Sequence, residues 1–411
     1  MAREKIIAGL DIGSSKVRTV VGVLDPEKGT PNVIGVGTAS SSGLRKGAVI
    51  DVEEVIQSIS ASLEEAERMS GEPIHSVFAS VGGIHLETIK SQGVVAIGGH
   101  EITEADVDRV LDAAQMVSLP NNRRVLKIVP RSFTVDNQKD IKYPVGMSGI
   151  RLEVDAFIIA GQTPTINNLE KSINQAGVDI DDLVPVPLAV AEAVIDKRQK
   201  ELGVVVIDIG AGGTSVIVYE EGMLMHAIVL PVGGESITND LAIGLRTSVD
   251  TAEKLKIEHG SVEQKEINSR DIIDLSLLSK NDDQKIMKSQ VVEIAKARVE
   301  EIFDMVNAEL RAIEREGKLP AGAVLTGAGA KLPGMTELAR EILKLPVQIG
   351  FPIEIDGIVD KIDDPSYATA IGLLVWGSRF ESGKSFSFGN FNLKKTFGGM
   401  LDFIKNFLPK K

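Results

Sequence analysis

Two short stretches of this chain repeat one another, and that repetition limits its fold more than any other feature. The stretch AGLDIGSSKVRTVVGV at 8–23 returns as VVVIDIGAGGTSVIVY at 204–219, with Asp11 and Asp208 lying 197 positions apart. Each copy is an apolar strand ending in Asp-Ile-Gly, then a few small residues, then a second β-branched strand. A connection that short folds the two strands into an antiparallel hairpin. Two copies so far apart predict two related lobes, each presenting one turn. A two-copy match is not a solenoid repeat.

Small residues in a turn let backbone N–H groups approach a phosphate without side-chain obstruction. Gly13 in the first turn, and Gly210, Gly212 and Gly213 in the second, meet that requirement. Ser14, Ser15 and Thr214 add hydroxyl donors, and Lys16 offers a charge for a terminal phosphate. Asp11 and Asp208, at the strand ends, are candidates to hold Mg²⁺ directly or through its waters, because magnesium needs few carboxylates. With Lys16 they are the candidate catalytic set. Either hairpin alone also fits an ordinary tight turn; two in matched contexts favour the phosphate reading. A third stretch, AVLTGAGAKLPGMTELAREIL at 323–343, reads as strand, glycine loop and helix. Its loop residues Gly327, Ala328, Gly329 and Lys331 are candidates to lie beside a nucleoside. The chain has neither a Walker pattern nor G-x-G-x-x-G.

The remaining body alternates strand-like and helix-like segments, which reads as α/β. Helices are expected over Asp51–Gly71, from a capping box at Thr103 and Asp106 through Val117, over Thr165–Ala176 closed by Gly177, and over about Gln290–Glu316. A strand region is expected at 126–136. There is no cysteine, which excludes disulfides and thiolate chemistry, and the five histidines never fall at metal-ligand spacing. They are expected to be surface or satisfied structural residues. The N-terminus does not read as a signal peptide, and no apolar run is long enough to span a membrane.

Charge is unevenly distributed. From Ser378 onward seven Lys or Arg stand against two Asp or Glu, in a chain whose formal total is −13. The acidic body argues against nucleic-acid binding. Residues 378–398 read as a linker rich in Gly, Ser, Asn, Lys and Phe. The end, GGMLDFIKNFLPKK, places Met400, Leu401, Ile404, Phe407 and Leu408 on one helical face, with Phe403 beside them and Lys405, Lys410 and Lys411 nearby. This is the pattern of an amphipathic helix that lies in an anionic membrane interface. One such helix binds weakly, and a polymer presenting many binds firmly. A helix docked on the protein's own core is the alternative.

The order of two Asp-x-Gly hairpins followed by LTGAGA resembles the actin, sugar-kinase and heat-shock-chaperone ATPase superfamily. Within it the chain resembles the FtsA family over nearly its whole length, including RKGAVIDVEEVIQSI (45–59), LPVGGESITNDLAIGLRTSVDTAEKLKIEHG (230–260) and DPSYATAIGLLVWG (364–377). The resemblance implies an actin-like two-lobed fold with an inserted α+β subdomain in the first lobe. The expected boundaries are 1–83 and 162–194 for the first-lobe core, with 366–377 returning to it, and 84–161 for the insert. The second lobe is expected at 195–241 and 321–365, with an outer subdomain at 242–320, and the membrane helix at 399–411.

The resemblance further implies ATP or ADP with Mg²⁺ between the lobes, Gly233 and Gly234 near the phosphates, and Glu253 and Lys256 at the nucleoside. Implied partners are the C-terminal peptide of the ring protein FtsZ, other copies of the chain, other division proteins and an anionic membrane. The implied place is the cytoplasmic face of the inner membrane at the septum. Lys296 and Arg298 are candidates to meet an acidic peptide in the outer subdomain. The crossover at 184–195 has Val186 and Pro187 where a water-orienting Gln or Glu is usual in actin-like ATPases, and Glu192 falls later, so hydrolysis is expected to be slow. A small-molecule kinase and a cytoplasmic pilus-assembly module share the fold and remain the alternatives; neither has a use for the tail.

Overall fold

The computed structural model describes residues 5–24, 30–116, 119–263, 271–280, 282–353 and 355–381. Two mixed sheets form the lobes. In the first, strands Ile6–Ile12, Lys16–Leu24 and Pro31–Ser40 make an antiparallel meander, and Ser76–Val81 runs parallel to the first strand. Asp179–Pro185 pairs parallel beyond it. In the second, Val204–Ile209, Thr214–Glu220 and Met223–Leu230 make the meander, with Ala323–Thr326 and then Val347–Ile349 added in parallel. These five strands come in the same order in both sheets, which is the duplication that the two Asp-Ile-Gly stretches predict; the first sheet adds a short edge strand, Asp356–Gly357, beyond Pro31–Ser40.

The hairpins also match residue for residue. Asp11 pairs with Arg18 and Asp208 with Ser215, in each case seven positions apart. Gly13 N–H bonds the Lys16 carbonyl at 3.1 Å, and Gly210 N–H bonds the Gly213 carbonyl at 3.0 Å.

Between the sheets lie the helices Val186–Val194 and Ala368–Glu381. The first is apolar on nearly every side and almost wholly buried, as a helix inside a core must be. The two cross so closely that a Cβ on Gly372 would stand 1.8 Å from the Ala189 carbonyl oxygen. Their core joins Ile7, Val20 and Phe78 of the first lobe to Val204, Val206 and Ile217 of the second.

The insert is a four-stranded antiparallel sheet in the order Glu87–Ala96, Arg151–Gln162, Arg123–Val135, Gln138–Ile141. Helix Glu104–Gln115 covers one face around a separate core. The insert also touches the second lobe: the Thr88 hydroxyl donates to the Ala227 carbonyl at 2.7 Å, and Lys142 pairs with Glu201 at 2.9 Å.

Helix Val52–Ser70 ends at Gly71 in the left-handed conformation, as expected, and Asp51 stands just outside it as the N-cap. Helix Thr163–Gln175 starts two residues early because Pro164 suits a first turn. The long helix of the outer subdomain is Lys288–Ala312, shorter at its end than expected, because Glu314 turns the chain with φ +61°.

Three expectations are corrected. The segment after 377 is not yet linker: Ser378 is buried, Arg379 pairs with Glu192, and Phe380 packs edge-on against Phe78 at 5.6 Å. The rest of the expected linker from 382, and the amphipathic helix expected at 399–411 from Met400, Leu401, Phe403, Ile404, Lys405, Phe407 and Leu408, fall outside the described residues. His85 is not satisfied. It is buried, neither ring nitrogen has a partner among the described residues, and burial, helped by Arg123, lowers its pKa to about 4. Lastly, Lys296 and Arg298 are engaged within the chain. Arg298 holds Asp240 at 2.5 and 3.0 Å and also Glu301, and Lys296 stands 3.6 Å from Glu300.

Candidate functional site

The two hairpin turns meet. Asp11, Gly13, Ser14, Ser15 and Lys16 from the first, and Asp208, Gly210, Gly212 and Gly213 from the second, line one cleft with Gly327 and Ala328. The tips approach so closely that a Cβ on Gly212 would stand 2.7 Å from Ser14 Oγ. Among the described residues the amides of Ser14, Ser15, Ala211 and Gly212 donate to no backbone carbonyl, so they remain available to an anion.

Asp11 and Asp208 sit buried at the floor. Asp11 accepts from the Ser80 hydroxyl at 3.0 Å. Burial raises its pKa, against lowering by Arg18 and Ser80. Burial also lifts Asp208, to about 7; the nearby Asp11 charge pushes it further and Arg18 opposes. Gly327, at φ +81°, leaves the space that Asp208 fills: a Cβ there would be 2.3 Å from Asp208 Oδ1. Two desolvated carboxylates facing one another with little compensating charge form a donor set that fits a hard divalent cation retaining most of its waters. Among the described residues no cluster of three or more His, Cys, Asp or Glu offers an all-protein cage.

Other predicted residues stand behind the cleft wall. Thr214 is fully buried and its hydroxyl donates to the Val232 carbonyl at 2.8 Å, which directs it away from the cleft. Gly233 and Gly234 buttress the second turn. A Cβ on Gly233 would lie 2.6 Å from both the Gly210 and Ala211 oxygens, and Gly234 N–H bonds Gly210 O at 2.8 Å. Lys256 is mostly buried rather than solvated. Its Nζ bonds Glu253 at 2.6 Å, Thr238 Oγ1 at 2.8 Å and Gly234 O at 3.1 Å, which ties the pair to the same buttress. Gly329 packs against Ile209, and Lys331 pairs with Asp364 at 2.5 Å. That pair borders a neighbouring hollow of about 440 Å³, with Leu332, Met335 and Phe351 in its wall.

The crossover contributes Val186 to the cleft, whereas Glu192 is buried between Lys200 and Arg379. Among the described lining residues, Asp11 and Asp208 are the only carboxylates, and no carboxamide side chain is present.

Sequence reasoning missed two cations. Arg18 lines the cleft, with its guanidinium 5.2 Å from the Tyr367 ring centre. Counting back across the Gly13–Lys16 turn would have placed it opposite Asp11. Lys46 enters from a two-residue turn between strands Leu44–Arg45 and Ala48–Val49. Only its Lys-Gly dipeptide signals that turn.

Duplicated three-stranded meanders, crossed helices between them and a cleft lined by matched turns define an actin-like two-lobed protein. Solved structures agree at the level of the fold. A chain of a "PilM-PilN type IV pilus biogenesis complex" aligns with TM-score 0.67 at 17% identity, covering 90% of this chain and 98% of that one. MreB5 of Spiroplasma citri bound to ADP aligns with TM-score 0.55 at 14% identity, covering 92% and 98%. Sequence comparison is more specific. The family profile described as "Cell division protein FtsA" matches residues 205–372, and that for the "SHS2 domain inserted in FTSA" matches 83–160. Curated proteins named cell division protein FtsA are 38% identical in Pseudomonas aeruginosa, over 92% of this chain and 90% of that one. They are 37% identical in Bacillus subtilis (92% and 85%) and 32% in Escherichia coli (91% and 90%). The chain belongs to the FtsA family.

Proposed function

We propose that this chain acts in bacterial cell division as a nucleotide-dependent membrane adaptor. The observation that carries the reading is the meeting of two matched Asp-Ile-Gly turns in one cleft, in a member of this family. ATP or ADP binds there, with its phosphates on the free amides of the two turn tips and Mg²⁺ beside Asp11 and Asp208. The nucleoside lies toward the Gly327–Gly329 loop and the hollow beside it. When bound, the metal would neutralise phosphate charge. The chain's own residues bind and orient the phosphates. With no carboxamide and no third carboxylate among the lining residues, the nucleotide serves chiefly to hold the lobes in one closed arrangement, and hydrolysis is slow.

The body assembles with copies of itself and sits at the cytoplasmic face of the inner membrane at the septum. The chain at 399–411 lies in the anionic leaflet, and the outer subdomain at 242–320 holds the FtsZ C-terminal peptide, through residues other than Lys296 and Arg298. No helix among the described residues is long and apolar enough to cross a membrane. The tail chemistry supports the membrane part of the reading. Liposome co-sedimentation with ATP and Mg²⁺ tests it, comparing the full chain with one ending at Glu381. Ending there, rather than at Ser378, keeps Arg379 on Glu192 and Phe380 on Phe78. Pelleting of the full chain alone, with nucleotide binding equal in both, supports the adaptor. Equal pelleting of the two, or of neither, would remove the tail from membrane binding and with it the adaptor reading.

A further inference from the structure

Lys46 occupies a position that turn formation alone does not explain. The strands Leu44–Arg45 and Ala48–Val49 pair antiparallel around Lys46 and Gly47, which have φ of +50° and +81°. A two-residue turn with both central residues left-handed favours Asn-Gly, and a lysine in the first place is strained. Strain of this kind at a cleft is a pointer to function.

The turn is also fixed in place. A Cβ on Gly47 would stand 2.2 Å from the Gly82 carbonyl oxygen and 2.5 Å from Gly83 Cα. One on Gly83 would stand 2.6 Å from the Lys46 carbonyl oxygen. The turn is therefore wedged against the loop that follows strand Ser76–Val81, another wall of the cleft. On its other side it reaches the second lobe: the Lys46 Cα lies 3.3 Å from where a Gly212 Cβ would be. A first-lobe residue thus stands beside the second-lobe turn tip, at the gap between Ser14 and Gly212.

The three cations lining the cleft differ in how they are held. Lys16 Nζ is bound to Ser40 Oγ at 3.0 Å. Arg18 is stacked on Tyr367 beside the two buried carboxylates. The Lys46 side chain is exposed and, among the described residues, makes no hydrogen bond or close ion pair; its charge is felt at Glu235, whose pKa burial raises and Lys46 helps to lower. It is an exposed charge on a fixed base. We propose that Lys46 recognises the terminal phosphate of a nucleoside triphosphate in this cleft and so discriminates ATP from ADP. The proposal rests on the cleft being the nucleotide site. A nucleotide whose nucleoside lies against the Gly327–Gly329 loop presents its phosphate chain to the turn tips, and Lys46 is the cation there that no hydrogen bond or stacking ring holds. Because its base touches both lobes' turns, its grip on that phosphate favours their closed arrangement.

The test is calorimetric titration of the full chain with AMPPNP and with ADP, each with Mg²⁺. The proteins are the unchanged chain, Lys46→Gln, Lys46→Arg, and Arg45→Gln as a neighbouring-charge control. Lys46→Gln should lose about 10-fold in AMPPNP affinity, the scale of one charge-assisted hydrogen bond, and less than about 2-fold in ADP affinity. Lys46→Arg should restore most of the loss, Arg45→Gln should show none, and melting temperatures should match. Equal losses for both nucleotides, or no loss for either, overturn the role of Lys46. If the unchanged chain binds neither nucleotide, the reading of the cleft fails and the proposal with it.

Discussion

Arg18 lies directly across the first hairpin from Asp11, and its positive charge lowers the pKa of both Asp11 and Asp208. The equivalent position in the second hairpin is Ser215, opposite Asp208, so the duplicated hairpins have diverged where charge matters most. In the proposed nucleotide complex, Arg18, next to the two carboxylates, is the cation placed for an inner phosphate. Arg18→Gln should weaken ATP and ADP alike, by about 10-fold or more, because a contact to an inner phosphate is common to both. Titration with the two nucleotides distinguishes this from the selective loss expected at Lys46. An Arg18→Gln protein with unchanged ADP affinity would remove Arg18 from the site.

How much of this was legible in the sequence follows from what each residue's role depends on. The lobes, the turns and the Asp51-capped helix were readable because local pattern determines them. Thr214 was misread because its hydroxyl has a closer acceptor at Val232, a contact set by the neighbouring strand. Lys256 came only through the family resemblance, because helix position alone does not reveal that Thr238 and Gly234 surround its ammonium group. Arg298 looked available because its partner Asp240 lies on another helix and meets it only on packing, whereas the Lys296 partner Glu300, four residues on in the same helix, was open to reading. Ser378 looked like linker because the composition there is polar, yet Ser378 donates to the Val375 carbonyl inside a helix that runs on to Glu381.

Asp208 is a buried carboxylate with little compensating charge, a cost to the empty protein that its folded surroundings impose. Asp208→Asn should raise the melting temperature of the nucleotide-free chain, by the equivalent of about 1–3 kcal/mol at neutral pH. The same change should abolish any Mg²⁺ enhancement of nucleotide binding. Scanning calorimetry with and without nucleotide reads both effects. A less stable Asn variant would mean that Asp208 is held by contacts other than those seen.

His85 gives the fold a pH dependence with a defined sign. Its pKa falls from the ordinary 6.5 to about 4 in the folded state, chiefly through burial. Between those values the unfolded chain binds the extra proton, so stability rises with pH there and is lost as pH falls below about 6.5. The full effect is at most about 3 kcal/mol. His85→Leu should flatten the part of the stability profile between pH 4 and 6.5. Urea unfolding at several pH values would show it, and an unaltered slope would mean that His85 titrates normally.

Gly372 sets the distance between the two interlobe helices. Gly372→Ala forces a methyl into the Ala189 carbonyl oxygen and should cost about 1–3 kcal/mol or more. Gly98→Ala, where nothing lies within 4 Å, should cost little. Since the crossing joins the lobes, the Gly372 variant should also bind nucleotide more weakly than its lost stability alone explains. Equal melting temperatures for the two variants would show that the helices slide apart freely.

Glu192 joins the last described helix to both lobes. Its carboxylate is almost fully buried in the interlobe core and paired with Lys200 at 2.7 Å and with Arg379. Burial is the largest single influence on its pKa and acts upward, but the two cations together hold it below the ordinary value. A depressed carboxyl contributes stability that is present above the ordinary pKa and lost as pH falls. Arg379→Ala leaves one cation on a buried charge. Complete unpairing of such a group costs about 3–5 kcal/mol, and with Lys200 remaining and Arg379 43% exposed, a loss of about 1–2 kcal/mol is expected. The deficit should be largest near neutral pH and disappear in acid, once Glu192 is protonated with or without Arg379. Glu192→Gln removes the charge that needs both partners, so Arg379→Ala should cost much less in that background. A double-mutant cycle by denaturant unfolding measures the coupling, and strict additivity of the two changes would show that the ion pair does not hold the helix to the lobes.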